Sequence, residues 1–255
     1  RLDEALTAFG AAIAIDPGAH KVLWGQANIL LLQGRLREGF ERYEHRASRL
    51  AQIERYARPQ LAPGDDLRGK RLLIWHELYA GDAIQFCRYA AVAEGLGAKV
   101  TLSAPKRLHR LLGTLGPGID IVAEGVSDEG FDVQLPLMSA PWALRSWETG
   151  IPGHVPYLAA EAERVAAWKQ RIGQDGFKIG ISWQGSKLSE TSGRSFPLAA
   201  LLPLSLVDGV RLISLQKFDG VEQLDSLPAG MQVEQLGADF DSGADSFLDT
   251  AAVMA

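Results

Sequence analysis

Disulfides, metal cages and membrane spans each need residues that this chain lacks or does not place together. Cys87 is the one cysteine in 255 residues, so no intramolecular disulfide can form and a reducing, cytoplasmic setting is the expectation. No apolar run approaches the roughly 18 residues that a spanning helix requires, so no transmembrane segment is expected. The five histidines, His20, His45, His76, His109 and His154, are scattered, and none stands at ligand spacing from another histidine, a cysteine or a carboxylate; no metal site is expected. A glycine-rich dinucleotide or P-loop cradle after a strand is missing, and so is a G-x-S-x-G elbow for an acyl-transfer serine. The 26 Lys and Arg are outnumbered by 31 Asp and Glu, a formal charge of -5, which leaves no basic footprint for nucleic acid.

With 47% hydrophobic and 22% charged residues, the chain reads as globular and long enough to bury a sizeable core. Arg1, Leu2, Glu4, Ala5 and Phe9 recur as Arg35, Leu36, Glu38, Gly39 and Tyr43, at an offset of 35 − 1 = 34 positions. That period is the tetratricopeptide one. Asp16-Pro17 falls where the turn between repeats belongs, and Trp24, Ala27, Leu31 and Gly34 mark a first helix with a tight turn into a second. Residues 19 to 46 are therefore expected to form two antiparallel helices packed through Trp24, Ala27, Leu31, Phe40 and Tyr43. Fewer than the roughly three repeats of a free-standing solenoid are present, so this portion, residues 1 to 55, is expected to lean on its neighbours or on repeats upstream. A peptide partner at these helices is a further expectation.

Residues 56 to 70, with RPQLAPGDDLRG at their centre, suit an irregular linker. Beyond it RLLIWH, AKVTLSA, IDIVAE and DVQLPLM alternate with helical stretches, expected from about Asp82 to Leu96 and from about Lys106 to Leu115, which implies a parallel sheet covered by helices over residues 71 to 160. The pattern restarts after Pro156 with AEAERVAAWKQRI, FKIGISWQGS, LAALLPL, VRLISLQK and SFLDTAAVMA. Residues 161 to 255 thus predict a second α/β layer, incomplete at Ala255, and the chain reads as a piece of a longer protein.

Strand RLLIW gives way to a helix through His76, Glu77, Gly81 and Asp82. In an open α/β sheet that junction faces the ligand crevice, since strand carboxyl ends and helix N-termini meet there. Asp82 suits either a helix cap or a catalytic carboxylate; Glu77 and His76 are the alternative bases nearby. Gln184, Gly185, Ser186 and Lys187, with Arg194, are donors suited to phosphate oxygens after FKIGISW, and Lys217 ends LISLQK as a third cation at a strand terminus. The acidic run Asp239, Asp241, Asp245 and Asp249 reads as a solvated loop and helix start. Trp142 and Trp147 read as core.

The order of EGFERYEHR, GKRLLIWHE, GDAIQFCRYA, GAKVTLSAP, FDVQLPLMSAPWAL, VPYL, KIGISWQGS, RSFPLAAL, VRLISLQK and DTAAVMA resembles bacterial tetratricopeptide-repeat proteins with a C-terminal glycosyltransferase domain of the heptosyltransferase-like, GT-B kind. The resemblance spans essentially the whole chain. It implies two Rossmann-like domains facing a cleft, with the acceptor mainly on the first and the nucleotide-sugar donor mainly on the second. Neither metal nor other cofactor is implied. Asp82 then matches the general base, and Gln184 to Lys187 with Arg194 match the region meeting the donor phosphates. The acceptor would be a saccharide or a protein. Tyr79 and Ala80 stand where the family commonly has a glycine-bearing loop. The family's main donor segment would begin beyond Ala255, so residues 1 to 255 alone are expected to be inactive and to bind nucleoside diphosphate weakly. A non-catalytic interaction scaffold with a degenerate transferase domain is the alternative.

Overall fold

The computed structural model describes residues 1–52, 54–186 and 195–255. They divide into two units, Arg1–Ala159 and Ala160–Ala255.

The first unit opens with helices α1 (Leu2–Ile15), α2 (His20–Leu32), α3 (Leu36–Tyr43) and a single turn, α4 (Ala47–Leu50). Along α2 the buried side chains are Leu23, Ala27 and Leu30, a stripe of period near 3.6 that forces one face inward. Phe40 of α3 is buried as well, whereas Trp24, expected in the core, is 37% exposed. Leu23 and Leu30 join Ala27 on the buried face in place of Trp24, while Leu31 lies against Gly39 of α3. Gly39 lets α3 approach α2 closely, because a Cβ there would come within 2.6 Å of the Leu31 side chain. Gly34, at φ +75, ends α2 in the left-handed conformation that glycine adopts without cost.

The α/β portion follows as β1 (Arg71–Trp75), α5 (Ala80–Phe86), α6 (Arg88–Gly95), β2 (Lys99–Ala104), α7 (His109–Leu112), β3 (Ile119–Ala123), β4 (Val133–Pro136), α8 (Ala140–Ala143) and α9 (Ser146–Thr149). Its four strands are parallel, in the order β3-β2-β1-β4. Successive residues Leu72, Leu73 and Ile74 are each fully buried, and since neighbours on a strand point to opposite faces, both faces of β1 are covered. The expected helix over 82–96 is divided at Cys87, which is itself buried. Between the helical portion and β1 the chain is irregular yet seated on the sheet. Leu61 and Leu67 are buried, Gln134 N donates to Pro59 O (3.0 Å), and Leu61 N donates to Gln134 O (2.9 Å).

The second unit contains α10 (Ala162–Ile172), β5 (Phe177–Ile181), α11 (Leu202–Ser205), β6 (Val210–Ser214), the two-residue β7 (Glu234–Gln235) and α12 (Leu248–Met254). Its strands are parallel in the order β5-β6-β7. Ile213 joins Trp168, Leu236, Phe240 and Ala252 in one core cluster, while its neighbour Leu212 joins Ile181, Trp183, Leu198 and Met231 in another. The alternation along β6 therefore divides the apolar side chains between two layers.

Aspartates fasten α12 to this unit. Asp241 accepts hydrogen bonds from Asp249 N (2.8 Å) and Thr250 N (3.2 Å), capping the first turn from outside the helix. Asp249 is 8% exposed and accepts from Trp168 Nε1 (2.9 Å) and Arg164 Nη1 (2.6 Å). The acidic run expected to be solvated is thus partly internal, because an indole N–H and a guanidinium compensate the buried carboxylate.

Candidate functional site

The sheet order 3-2-1-4 places the reversal of winding between β1 and β4, where an open α/β sheet leaves a crevice at the strand carboxyl ends. Here the protein's own side chains fill it. Glu77, two residues beyond β1, takes Arg46 Nη2 at 2.7 Å and Arg46 Nε at 3.0 Å, and its Oε2 accepts Met138 N at 2.9 Å just beyond β4. Arg46 also donates to Ser139 Oγ (2.9 Å) and Glu44 Oε1 (3.0 Å), and Ser139 Oγ donates to Glu44 Oε2 (3.0 Å). Both partners are buried, with side-chain exposures of 1% for Arg46 and 0% for Glu77. Such a pair persists only when every remaining lone pair and proton is also engaged, and this cluster meets that demand. One alternative base is thereby committed to structure.

His76 is committed too. Its Nδ1 lies 3.1 Å from Glu124 Oε1 and its Nε2 lies 3.0 Å from Tyr79 O, with the residue buried. Asp82 differs. It sits half-buried in the first turn of α5, no side-chain cap closes that helix, and among the described residues its carboxylate makes no hydrogen bond or ion pair.

Asp82 lines a cavity of about 390 Å³. Asn28, Leu31, Leu36, Phe40 and Tyr43 form the helical wall, and Gln85, Phe86, Arg88 and Tyr89 share the α5–α6 wall with Asp82. Burial raises the Tyr43 phenol above its ordinary range; the Arg46 guanidinium opposes this, and the Asp82, Glu77 and Glu44 carboxylates reinforce it. Tyr43 therefore remains a neutral hydroxyl in this wall. Arg88 is anchored by donating to Gln85 O (2.9 Å) and Pro152 O (3.0 Å), with its guanidinium 4.1 Å from the Tyr157 ring centroid. Burial pushes the nearby Cys87 thiol up to about 12, so it is an inert filler and not a nucleophile.

In the second unit the loop after β5 is held by Gln216. Its Oε1 accepts from Trp183 N (2.9 Å) and Gln184 N (3.1 Å), and its Nε2 donates to Gln184 O (2.8 Å) and Asp219 O (2.8 Å). The Gln184 side chain accepts from Gln223 Nε2 at 3.1 Å, Gly185 N donates to Ser195 Oγ at 3.3 Å, and Gly185 and Ser186 are exposed. Lys217 donates through Nζ to Phe240 O and lies 5.7 Å from the Phe240 ring centroid. Lys187 and Arg194 lie outside the described residues. Gln184, Gly185 and Ser186 thus follow β5, and Lys217 follows the adjacent β6, at the same ends of two parallel strands. Gln216, which organises this loop, carried no motif in the sequence; its place two residues after VRLIS was the one available sign.

Comparison with known proteins finds a relative, Protein FlbA of Caulobacter vibrioides, 30% identical over 248 residues that cover 87% of this chain and 42% of that protein. The chain therefore spans less than half the length of that relative. No family model matches the chain, and no solved structure matches it.

Proposed function

We propose that the chain is part of a metal-independent glycosyltransferase that moves a sugar from a nucleotide-sugar donor to an acceptor hydroxyl, with Asp82 as the general base. In this reading the N-terminal helices are of tetratricopeptide type, and the two α/β units are the acceptor-side and donor-side halves of a GT-B architecture. One observation carries it: of the three acid–base candidates after β1, Glu77 and His76 are tied into hydrogen bonds, while Asp82 lines a cavity with its carboxylate uncommitted. In inverting transfer the acceptor oxygen bonds to the anomeric carbon as the carbon–phosphate-oxygen bond breaks. The acceptor proton passes to Asp82, and the nucleoside diphosphate leaves with the electron pair. Gln184, Gly185, Ser186, Lys187, Arg194 and Lys217 are the donor-side candidates. The exposed Gly185–Ser186 segment suits phosphate oxygens; Gly185 N must exchange Ser195 Oγ, and Lys217 the Phe240 carbonyl, for a ligand to take part.

A scaffold without catalysis is the second reading, and a specific observation favours it: Arg46 and Glu77 occupy the β1/β4 crevice where an open sheet ordinarily receives its ligand. Incubating the full-length protein with a panel of nucleotide sugars and hydroxyl acceptors, both saccharide and protein, and measuring release of nucleoside diphosphate separates the two. Turnover with at least one donor supports the transferase; no release from any donor, with the fold intact by circular dichroism, supports the scaffold.

A further inference from the structure

The cavity beside Asp82 has a chemistry of its own. Leu31, Leu36 and Phe40 on the helical side face the same space as Phe86, Pro141 and Ile151, and the ionisable groups of the wall are confined to Asp82, Arg88 and the two tyrosines. Arg88 is already held by two carbonyls and the Tyr157 ring, which leaves Asp82 as the carboxylate of a largely hydrocarbon-lined space. Its volume of about 390 Å³ falls at the small end of the range for small-molecule sites, roughly 300–1,000 Å³, and suits a compact molecule better than an extended peptide.

We infer that this cavity receives an acceptor whose hydroxyl is carried directly on an aliphatic or aromatic body, and that Leu31, Leu36 and Phe40 of the N-terminal helices select that body. The inference rests on the proposed transferase reading. In it the helices are a specificity wall of the acceptor site as well as a possible partner surface. Complementarity fixes the orientation: the hydroxyl donates to the Asp82 carboxylate, the polar end that faces the base, while the hydrocarbon lies against the leucines and phenylalanines and leaves water.

The minimal probe is a straight-chain primary alcohol, which has the hydroxyl and the hydrocarbon and nothing else. Titrating 1-propanol, 1-pentanol and 1-heptanol into methyl-labelled protein, with the Leu31, Leu36 and Ile151 methyl resonances as reporters, should give saturable shifts. Affinity should rise about fourfold per added methylene, the factor that burial of one CH₂ supplies. Asn28→Trp, at an exposed lining position, should fill the space and abolish the shifts, and Leu36→Gln should weaken 1-heptanol at least fivefold. Circular dichroism verifies that both variants fold. No saturable shift at these methyls, an affinity that does not grow with chain length, or unchanged binding in Asn28→Trp overturns the assignment. So does displacement of 1-heptanol by a Ser/Thr-containing peptide that binds more tightly, which would give the site to a protein acceptor. Nucleoside diphosphate release does not enter this measurement. An inactive protein with a chain-length-dependent cavity defeats the transferase reading and leaves the cavity as a site for a hydroxyl on a hydrocarbon body, whereas an active protein without one defeats the acceptor inference alone.

Discussion

Arg46 is the residue on which the first unit's architecture turns. It comes from the short connection after α3, yet its guanidinium reaches Glu77 beyond β1 and Ser139 beyond β4. Removing one member of a buried pair leaves an uncompensated charge, whereas replacing both can be far milder. Arg46→Met should therefore cost about 3–5 kcal/mol of stability. In Arg46→Met/Glu77→Gln the amide oxygen still accepts from Met138 N, and about half of that loss should return. Urea denaturation of the wild type, the single and the double variant measures this; equal losses in single and double variants would refute the pairing. This role could not be read from the sequence, because Arg46 stands in a charged stretch, ERYEHR, whose composition suits a solvated face as well as a buried pair. What picks it out is a contact 31 positions away. Glu77 was legible only as an acid after a strand, a position equally open to catalysis and to structure.

Among the elements, the parallel sheet was the most legible, since four runs such as RLLIW and VTLSA recur between helical stretches and a strand covered on both faces must be continuously apolar. The helices after the strands were less so. Residues 82–96 read as one helix but divide at Cys87, and the stretches at 106–115 and 198–205 alternate short α and 3₁₀ turns, because tertiary packing overrides a helical period in pieces this short. Two glycines test how the N-terminal helices are built. Gly39→Ala gains helix propensity worth about 1 kcal/mol, but its Cβ would meet Leu31 Cδ2 at 2.6 Å and Leu31 N at 3.2 Å. The overpacking should win and destabilise by about 1–3 kcal/mol. Gly10, inside α1, has nothing within 4 Å of an added Cβ, so Gly10→Ala should stabilise by up to about 1 kcal/mol. Thermal melts of the two variants should move in opposite directions. A shared direction would contradict the close approach at Gly39.

For the whole molecule, acid is the informative variable. Burial raises the Asp249 carboxyl, but hydrogen bonds from Trp168, the Asp241 backbone and Arg164, together with the Arg164 charge, outweigh it and hold the group below its usual range. A carboxylate depressed in the folded state contributes stability that is present above the unfolded value, about 3.9, and disappears as pH falls through the folded one. Asp249→Asn should therefore be destabilised at pH 7 by about 1.5–3 kcal/mol and should lose less than the parent between pH 5 and 2. Parallel melting-temperature curves for the two across that window would remove Asp249 from the acid limb.

In the proposed reaction Asp82 removes the acceptor proton, and Asp82→Asn in the full-length protein separates that role from a structural one. Asparagine keeps the size of the side chain and caps a helix about as well as aspartate, but it accepts no proton. The measurement is the initial rate of nucleoside diphosphate release in the presence of acceptor, taken with the melting temperature of the same variant. The rate should fall by roughly two to four orders of magnitude with little change in melting temperature; turnover close to the parent's would remove Asp82 as the base.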